Sequence, residues 1–305
     1  MTKPQIFIQT ATDPFLNLAT EKYLYTHYAE KAPLLYLWCN SPCVVIGRAQ
    51  NPWIECNLDI MQKNNIPLMR RHSGGGTVFH DINNLNFSFL SAPEYYDKKL
   101  HLTIITEALK TLDISTIISP RNDILLPLHG KNYKISGSAY RESRLKSLHH
   151  ATLLIDTDIE LLNQSIHSKE KDIDAKGVRS VRSEVITLRH IKPELKKEDI
   201  IKSISNQFKL QYPDTETNIL DNEIYQNNEI IEEAERLQSW QSRFGKTLPF
   251  NKLFTIDNKN YIVTVKQGKI ESIEMPNQEN LTFKQPLIFK NKISQLIALL
   301  NPYNS

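Results

Sequence analysis

The sequence predicts an α+β fold, with mixed, largely antiparallel sheets packed against helices and a small α/β domain at the C-terminal end. Short apolar runs of strand length are separated by Asn, Ser and Pro, and stretches with helical periodicity lie between groups of these runs. The composition changes to a charged stretch at 163–183, and apolar patterning returns near residue 250. The 305 residues are enough for two domains. We predict a main domain over 1–240 and a small accessory domain over 241–305.

The individual elements follow from local signals. The first helix is predicted to begin at Pro14, because Pro suits the first helical position and Asp13 can cap it. Further helices are predicted at 103–112, 196–208 and 290–300. Strands are predicted at 34–39, 43–47, 66–71, 133–140 and 151–156. Two hairpins are predicted, one joining 76–81 to 85–90 and one within 252–275, and residues 163–183 are predicted to form an exposed loop.

Composition and charge exclude several classes of protein. Hydrophobic residues make up 40% of the chain and charged residues 23%, and no apolar run is long enough to cross a bilayer. A net charge of +3 without a basic block gives no support for a nucleic-acid partner. The first residues lack the features of a signal peptide, so a cytoplasmic location is expected. The three cysteines, Cys39, Cys43 and Cys56, lack paired metal-ligand spacing and are expected to be reduced, and Cys39 and Cys43, in strand-like apolar runs, are predicted to be core residues.

The stretch RRHSGGGTVFHD at 70–81 is the strongest functional signal. It lacks the GK[ST] ending of a P-loop and the GxGxxG spacing of a dinucleotide site, and it leads into a predicted strand instead of a helix. Three glycines allow a ligand to approach the backbone closely, and arginine binds carboxylates or phosphates. Alternation along a strand sends Arg70 and Arg71 to opposite faces, so we expect one to bind ligand and the other to support it. The alternative is a flexible surface turn with solvated arginines.

Several motifs together resemble those of the lipoate-protein ligase A family. They are RRHSGGGTVFHD, VVIGRAQNPW (44–53), RND (121–123), KISGSAYR (134–141), HHATLL (149–154) and KGVRSVRS (176–183), spread over roughly the first 250 residues. The resemblance implies a biotin/lipoate ligase-like catalytic domain with a small accessory domain. It also implies a two-step reaction. Lipoate and ATP, with Mg²⁺, would give lipoyl-adenylate and pyrophosphate. The lipoyl group would then pass to a lysine of a lipoyl domain in a 2-oxo acid dehydrogenase E2 subunit, or of the glycine-cleavage H protein; octanoate is an alternative substrate.

The same resemblance implies roles for individual residues. Lys134 is the expected catalytic cation, contacting both the lipoyl carboxylate and the adenylate, although a lone lysine is more often a solvated surface charge. The residues expected to bind ATP or adenylate are Arg71, Gly76, Thr77, Val78, Phe79, Asp123, Lys134, Lys176, Arg179 and Arg182. The residues expected to bind lipoate are Arg70, Ser73, Gly74, Gly75, Lys134, Ser136, Gly137, Ala139 and His150. Asp123 is the candidate Mg²⁺ ligand, with an Asx turn as the alternative.

Two other functions are compatible with parts of the sequence. An octanoyl or lipoyl transferase of the same superfamily moves acyl groups through a cysteine thioester and needs a thiolate near the Lys134 strand. The chain has no cysteine after Cys56, which argues against that chemistry. A protein that binds lipoyl-adenylate without turnover is the second alternative, and the presence of Lys134 argues against it. The basic loop and lysine-bearing strand motif typical of biotin ligases do not occur in the sequence.

Overall fold

A six-stranded sheet forms the centre of the molecule. The structure, a computed structural model, describes residues 3–168, 170–276 and 279–300. Its α-helices are α1 (Pro14–His27), α2 (Pro52–Glu55), α3 (Leu58–Lys63), α4 (Lys98–Lys110), α5 (Ile159–Ile166), α6 (Lys197–Gln211), α7 (Asn228–Gln238) and α8 (Ile293–Leu300). Its strands are β1 (Gln5–Gln9), β2 (Leu34–Cys39), β3 (Cys43–Ile46), β4 (Leu68–Arg70), β5 (Val78–His80), β6 (Asn84–Ser91), β7 (Ile117–Ile118), β8 (Ile124–Leu128), β9 (Lys131–Ser136), β10 (Ser138–Glu142), β11 (Ser147–Leu154), β12 (Ile173–Ala175), β13 (Glu216–Leu220), β14 (Phe250–Ile256), β15 (Lys259–Lys266), β16 (Lys269–Glu274) and β17 (Leu281–Ile288).

The strands form four sheets. The central sheet has the order β10-β11-β6-β2-β1-β13, and two three-stranded sheets have the orders β4-β3-β5 and β7-β8-β9. A five-stranded sheet, β12-β14-β15-β16-β17, lies toward the C-terminal end. The parallel pairings are β1 with β2 and β13, and β3 with β4, while the other strand pairings are antiparallel. The predicted α+β class with largely antiparallel sheets is therefore confirmed. No helix in the described ranges is long and apolar enough to span a bilayer.

Helices cover both faces of the central sheet. One hydrophobic cluster joins β2, β6 and β11 to α4 and α6, and a second joins the same sheet to α1 and α7. The strands β2, β6 and β11 are buried along their whole length, as expected for strands covered on both faces. A third cluster belongs to the five-stranded sheet and α8, and it includes Trp53 from α2.

Local signals predicted many of the elements correctly. The Asp13 side chain accepts hydrogen bonds from the backbone N–H groups of Phe15 and Leu16, both at 2.9 Å, and Pro14 begins α1 as predicted. The strands predicted at 34–39, 43–47 and 66–71 correspond to β2, β3 and β4. The helices predicted at 103–112, 196–208 and 290–300 correspond to α4, α6 and α8, with shifted ends.

The predicted hairpin joining 76–81 to 85–90 is wrong. Strand β5 pairs with β3, whereas β6 pairs with β2 and β11 in the central sheet. The connecting residues still turn tightly, because Asp81 accepts a hydrogen bond from the backbone N–H of Asn83 at 2.9 Å. Tight turns are required in hairpins but also occur where a chain passes from one sheet to another. A turn signal alone therefore does not identify the partner strand.

Two other regions differ from the prediction. The single strand predicted at 133–140 is broken at Gly137 into β9 and β10, which belong to different sheets. The polar residues between the helix predicted at 196–208 and about residue 235 contain β13 and most of α7, and neither element was predicted.

The predicted exposed loop at 163–183 contains the end of α5 and the short strand β12. Strand β12 pairs with β14, so this segment contributes a strand to the C-terminal sheet. The division into a main domain over 1–240 and an accessory domain over 241–305 stays a prediction. Residues 1–2 and 301–305, at the outer ends of these two ranges, lie outside the described residues.

Candidate active site

Two adjoining cavities meet beside the loop of residues 73–76, called the glycine loop below. The first has a volume of about 190 Å³ and is lined by apolar side chains that include Leu18, Trp38 and Val45. The second has a volume of about 320 Å³, and its lining includes Leu154, Arg179 and Arg182. The residues that line both cavities are Thr77, Val78, Lys134, Gly137, Thr152, Ser180 and Val181. The junction is thus built from strands β5, β9 and β11 and from the segment 176–183.

Lys134 is the cation at this junction. Its Nζ lies 2.8 Å from Asp123 Oδ1, and its side chain is 25% exposed, so it does not extend freely into solvent. Its backbone N–H donates to the carbonyl of Glu184 at 2.9 Å, and the N–H of Ile186 donates to the Lys134 carbonyl at 3.2 Å. A Cβ on residue 137 would lie 2.9 Å from Nζ, so Gly137 leaves the space that the ammonium group occupies.

Asp123 lies in a turn that fixes its carboxylate. The preceding Asn122 has a φ of 63°, and the backbone N–H of Asp123 donates to Ser119 Oγ at 3.1 Å. The carboxylate lines the first cavity. Among the described residues there is no group of three His, Cys, Asp or Glu side chains that could hold a metal ion. A single carboxylate still fits Mg²⁺, because this ion is commonly held by one or two carboxylates together with substrate phosphates.

Arg71 supports the glycine loop from within the protein. Its side chain is 5% exposed, and Nη2 donates to the carbonyls of Gly74 and Gly76, both at 2.6 Å, while Nη1 donates to the Val45 carbonyl at 3.1 Å. Burial lowers the pKa of Arg71 to about 10, which still leaves it charged at neutral pH. Arg71 also lines the first cavity together with Gly75. A buried cation therefore lies against the backbone of the loop.

Arg70 points away from both cavities. Its guanidinium donates to the carbonyl of Gln50 at 2.7 Å and to that of Arg243 at 2.9 Å, and also to Thr247 Oγ1 at 2.9 Å. Its side chain is absent from the linings of both cavities. Of the two arginines, Arg70 is thus the supporting one, joining β4 to the segment before the C-terminal sheet. Its expected contact with lipoate has no counterpart in this arrangement, because its donors are engaged by protein oxygens.

A buried hydrogen-bonded chain anchors the first cavity. Arg71 Nε donates to Ser73 Oγ at 2.9 Å, and Ser73 Oγ lies 2.7 Å from His150 Nε2. His150 Nδ1 lies 2.8 Å from Glu21 Oε1, which also accepts from Ser88 Oγ at 2.6 Å. Burial alone would raise the pKa of the Glu21 carboxyl, but the adjacent His150 outweighs it, and the pKa is lowered. Glu21 on α1 therefore connects to Arg71 through two intermediate side chains, those of His150 and Ser73.

His149 and His150 take different positions. His150 lines the first cavity. His149 is fully buried and faces away from the chain just described, with its Nδ1 3.3 Å from Nδ1 of His101. Burial lowers the pKa of His149 well below its usual value. Only His150 of this pair is therefore placed to contact a ligand.

The remaining predicted site residues fall into three groups. The first cavity is lined by Gly76, Ala139 and His150 in addition to Arg71, Gly75 and Asp123. The second cavity is lined by Phe79, Ser136, Arg179 and Arg182. The predicted residues outside both linings are Arg70, Ser73, Gly74 and Lys176. Ser136 Oγ is buried and has no hydrogen-bond partner among the described residues.

Several residues of the site were not predicted. The cavity linings include three residues that were not among the expected binding residues, namely Trp38, Glu55 and Ser180. Two more unexpected residues form hydrogen bonds to lining residues: Glu21 to His150 and Gln50 to Thr77. Gly47 is a further example, because a Cβ at this position would lie 2.2 Å from the carbonyl oxygen of Gly75. Its position against the backbone of Gly74 and Gly75 follows from tertiary packing.

The three cysteines are core residues. All three thiols are free and buried, and none lines either cavity. Burial raises the pKa of the Cys39 thiol to about 11 and also raises the pKa values of Cys43 and Cys56. Because the thiolate is the nucleophilic form, these environments disfavour thioester chemistry.

Comparisons with known proteins agree with this geometry. A family profile for the lipoyl protein ligase A/B catalytic domain matches residues 13–209. A lipoate-protein ligase A of Bdellovibrio bacteriovorus is 37% identical over 281 residues, covering 90% of this chain and 83% of the relative. The chain therefore belongs to the lipoyl protein ligase A/B catalytic-domain family, and the resemblance seen in the motifs is confirmed.

Solved structures show the same architecture. The crystal structure of P. falciparum LipL1 in complex with lipoate superposes with a TM-score of 0.70 at 25% identity, covering 89% of this chain and 84% of that one. A crystal structure of lipoate-protein ligase A bound with ATP gives a TM-score of 0.60 at 21% identity, covering 78% and 94%. At that identity, the second similarity concerns the fold alone.

Proposed function

We propose that this protein is an ATP-dependent lipoate-protein ligase that forms lipoyl-adenylate and then transfers the lipoyl group to a lysine of an acceptor protein. The carrying observation is that Lys134 lines both cavities at their junction. The first cavity, with Leu18, Trp38 and Val45 in its wall, suits the apolar tail of lipoate. The second, with Arg179 and Arg182, suits a nucleotide.

The chemistry explains why a cation belongs at the junction. Lipoate carboxylate attacks the α-phosphate of ATP, a P–O bond to the acyl group forms, and the bond to pyrophosphate breaks. Both reactants are anions, so a fixed positive charge lowers their repulsion and stabilises the charge that develops. In the free protein, Lys134 is paired with Asp123 at 2.8 Å. A bound substrate anion would compete with Asp123 for this ammonium group.

The second step needs no protein nucleophile. The lysine amine of the acceptor attacks the acyl carbon of the adenylate, the amide bond forms, and AMP leaves. We propose that Lys134, which lines both cavities, donates to the adenylate in this step. We propose lipoyl domains of 2-oxo acid dehydrogenase E2 subunits and the glycine-cleavage H protein as acceptors, with octanoate as an alternative substrate.

Asp123 is the proposed protein ligand for Mg²⁺, together with phosphate oxygens of ATP. A bound Mg²⁺ would neutralise phosphate charge during the first step. If Lys134 turned toward the substrate, the Asp123 carboxylate would lose its present partner and could bind the metal ion. The cytoplasmic location stays a prediction.

The proposal is tested with purified protein, lipoate, Mg-ATP and an apo lipoyl domain. We expect pyrophosphate release and a mass gain on the acceptor lysine. Lys134→Ala should abolish adenylate formation with the fold intact. Lys131→Ala is the matched control, because Lys131 lies on the same strand but is exposed and pairs with Glu184. If Lys134→Ala forms the adenylate at the rate of Lys131→Ala, the assignment of the central cation is wrong.

The transferase alternative is the nearest competitor. It requires a thiolate close to the acyl group, whereas all three thiols are buried outside the cavity linings. A binding protein without turnover would bind the adenylate but release no pyrophosphate. The same assay therefore separates the ligase from both alternatives, because only the ligase releases pyrophosphate and modifies the acceptor.

A further inference from the structure

A buried polar cluster joins the segment 176–183 to the wall of the cavities. Glu55, at the C-terminal end of α2, is 5% exposed. Its carboxylate accepts a hydrogen bond from the backbone N–H of Ser180 at 3.2 Å and another from Ser180 Oγ. Thr77 Oγ1 lies 3.3 Å from the same carboxylate oxygen. The backbone N–H and the hydroxyl of Ser180 are both donors, so this position suits a side chain that accepts hydrogen bonds.

Ser180 uses its full hydrogen-bonding capacity in this cluster. Its hydroxyl accepts from the backbone N–H of Thr77 at 2.9 Å and from Gln50 Nε2 at 3.0 Å, and it donates to Glu55. A serine hydroxyl has one donor and two acceptor sites. Gln50 Oε1 in turn accepts from the backbone N–H of Gly47 at 2.8 Å. The network therefore links the segment to Thr77, which immediately precedes β5, and to the turn after β3.

The rest of the segment is exposed. The side chains of Val178 and Val181 are 50% and 60% exposed, and Lys176, Arg179 and Arg182 are also exposed. Ser180 and Val181 nevertheless line both cavities. The wall of the junction therefore depends on a segment that is fixed mainly through one half-buried serine.

We propose that Glu55 is a positioning residue that acts through Ser180 to hold the segment 176–183 at the cavity junction in the arrangement that binds nucleotide. The proposal rests on the proposed function for the identity of the nucleotide as ATP. Hydrogen bonds to a carboxylate are stronger than neutral ones, and this carboxylate is buried. Loss of the contact should release the segment while β5 and β9, the strand that carries Lys134, stay in place.

Limited trypsin digestion tests the release directly, because Lys176, Arg179 and Arg182 provide cleavage sites within the segment. Ser180→Ala is the primary variant, since it removes a hydroxyl from a loop and leaves the core unchanged; Glu55→Gln and the double variant complete the cycle. The exposed residues Ser294 and Glu194 provide the matched controls Ser294→Ala and Glu194→Gln. We expect cleavage in the segment to be about tenfold faster for Ser180→Ala and Glu55→Gln. Cleavage of the double variant should rise by less than the product of the two single increases, because both changes weaken the same Glu55–Ser180 contact.

The catalytic consequence is measured as pyrophosphate release at saturating lipoate. We expect KM for ATP to rise by about tenfold in Ser180→Ala, and kcat to change less than KM. Unchanged cleavage, or faster cleavage with an unchanged KM for ATP, would overturn the positioning role. Digestion requires no ligand, so a failure of the proposed function appears separately, as a wild-type protein that releases no pyrophosphate.

Discussion

Gly47→Ala should disable the site without removing any functional group. A Cβ at position 47 would lie 2.2 Å from the carbonyl oxygen of Gly75 and 3.2 Å from that of Gly74. An ordinary contact between such atoms is about 3.5 Å or more, so the loop must move by roughly 1 Å. Both atoms belong to the backbone, and Arg71 holds the Gly74 carbonyl at 2.6 Å, so a side-chain rotation cannot relieve the clash.

The size of the effect follows from the geometry. A misplacement of about 1 Å at a reacting site can cost roughly 100-fold in rate, and overpacking costs about 1–3 kcal/mol of stability. We expect kcat/KM for lipoyl-adenylate formation to fall by about 100-fold and the free energy of unfolding by about 2 kcal/mol. The fall in kcat/KM is separated from the loss of stability by measuring pyrophosphate release at a temperature well below the unfolding transition of both proteins.

Gly74→Ala is the matched control for this prediction. A Cβ at position 74 meets no heavy atom within 4 Å, and no positive φ is found there. We expect its rate to stay within about threefold of wild type, because the added methyl group enters open space and leaves the Gly74 carbonyl bonded to Arg71. If Gly47→Ala is as active as Gly74→Ala, the close approach of the two loops is not needed for the reaction.

Two further predictions concern buried groups. Glu21→Gln should lower the free energy of unfolding by about 2 kcal/mol at pH 7, measured by urea denaturation, because it disrupts the charged hydrogen bond to His150. The pKa of the Glu21 carboxyl in the folded protein lies below its ordinary value of 4.5, so its contribution to stability is present above pH 4.5 and is lost as the pH falls through the folded-state pKa. The Glu21→Gln variant should therefore lose less stability on acidification than the wild type does. An equal loss of stability in both proteins between pH 6 and pH 3 would contradict this. Replacing all three cysteines by alanine should leave adenylate formation and transfer in place in the protein that still folds, and loss of transfer alone would favour thioester chemistry.

The sequence predicted the parts of the site that depend on local structure. The glycines do run from one strand, β4, to another, β5, and Lys134 does lie in a strand next to small residues. These features are visible because strand alternation and glycine clusters act over a few neighbouring residues. Lys134 and the glycine loop line the same cavity, as the motifs required.

The missing parts depend on contacts between distant segments. Glu21 and Glu55 are acidic residues in short helical patterns, where a solvated charge is the usual interpretation, and their burial arises only when α1 and α2 pack. The role of Arg70 depends on carbonyls of residues 242 and 243, more than 170 positions away. Strand alternation indicated that one of the two arginines would bind ligand and that the other would have a supporting role. The contacts with residues 242 and 243 show that Arg70 has the supporting role.

The structure of the protein with bound lipoyl-adenylate tests the central claim most directly. We predict that the acyl chain lies against Leu18 and Trp38 and that the adenosine occupies the cavity bordered by Leu154 and Arg179. We also predict that Lys134 Nζ has left Asp123 and binds the acyl-phosphate oxygens. An adenylate bound elsewhere, or one that leaves the Lys134–Asp123 ion pair intact, would contradict it.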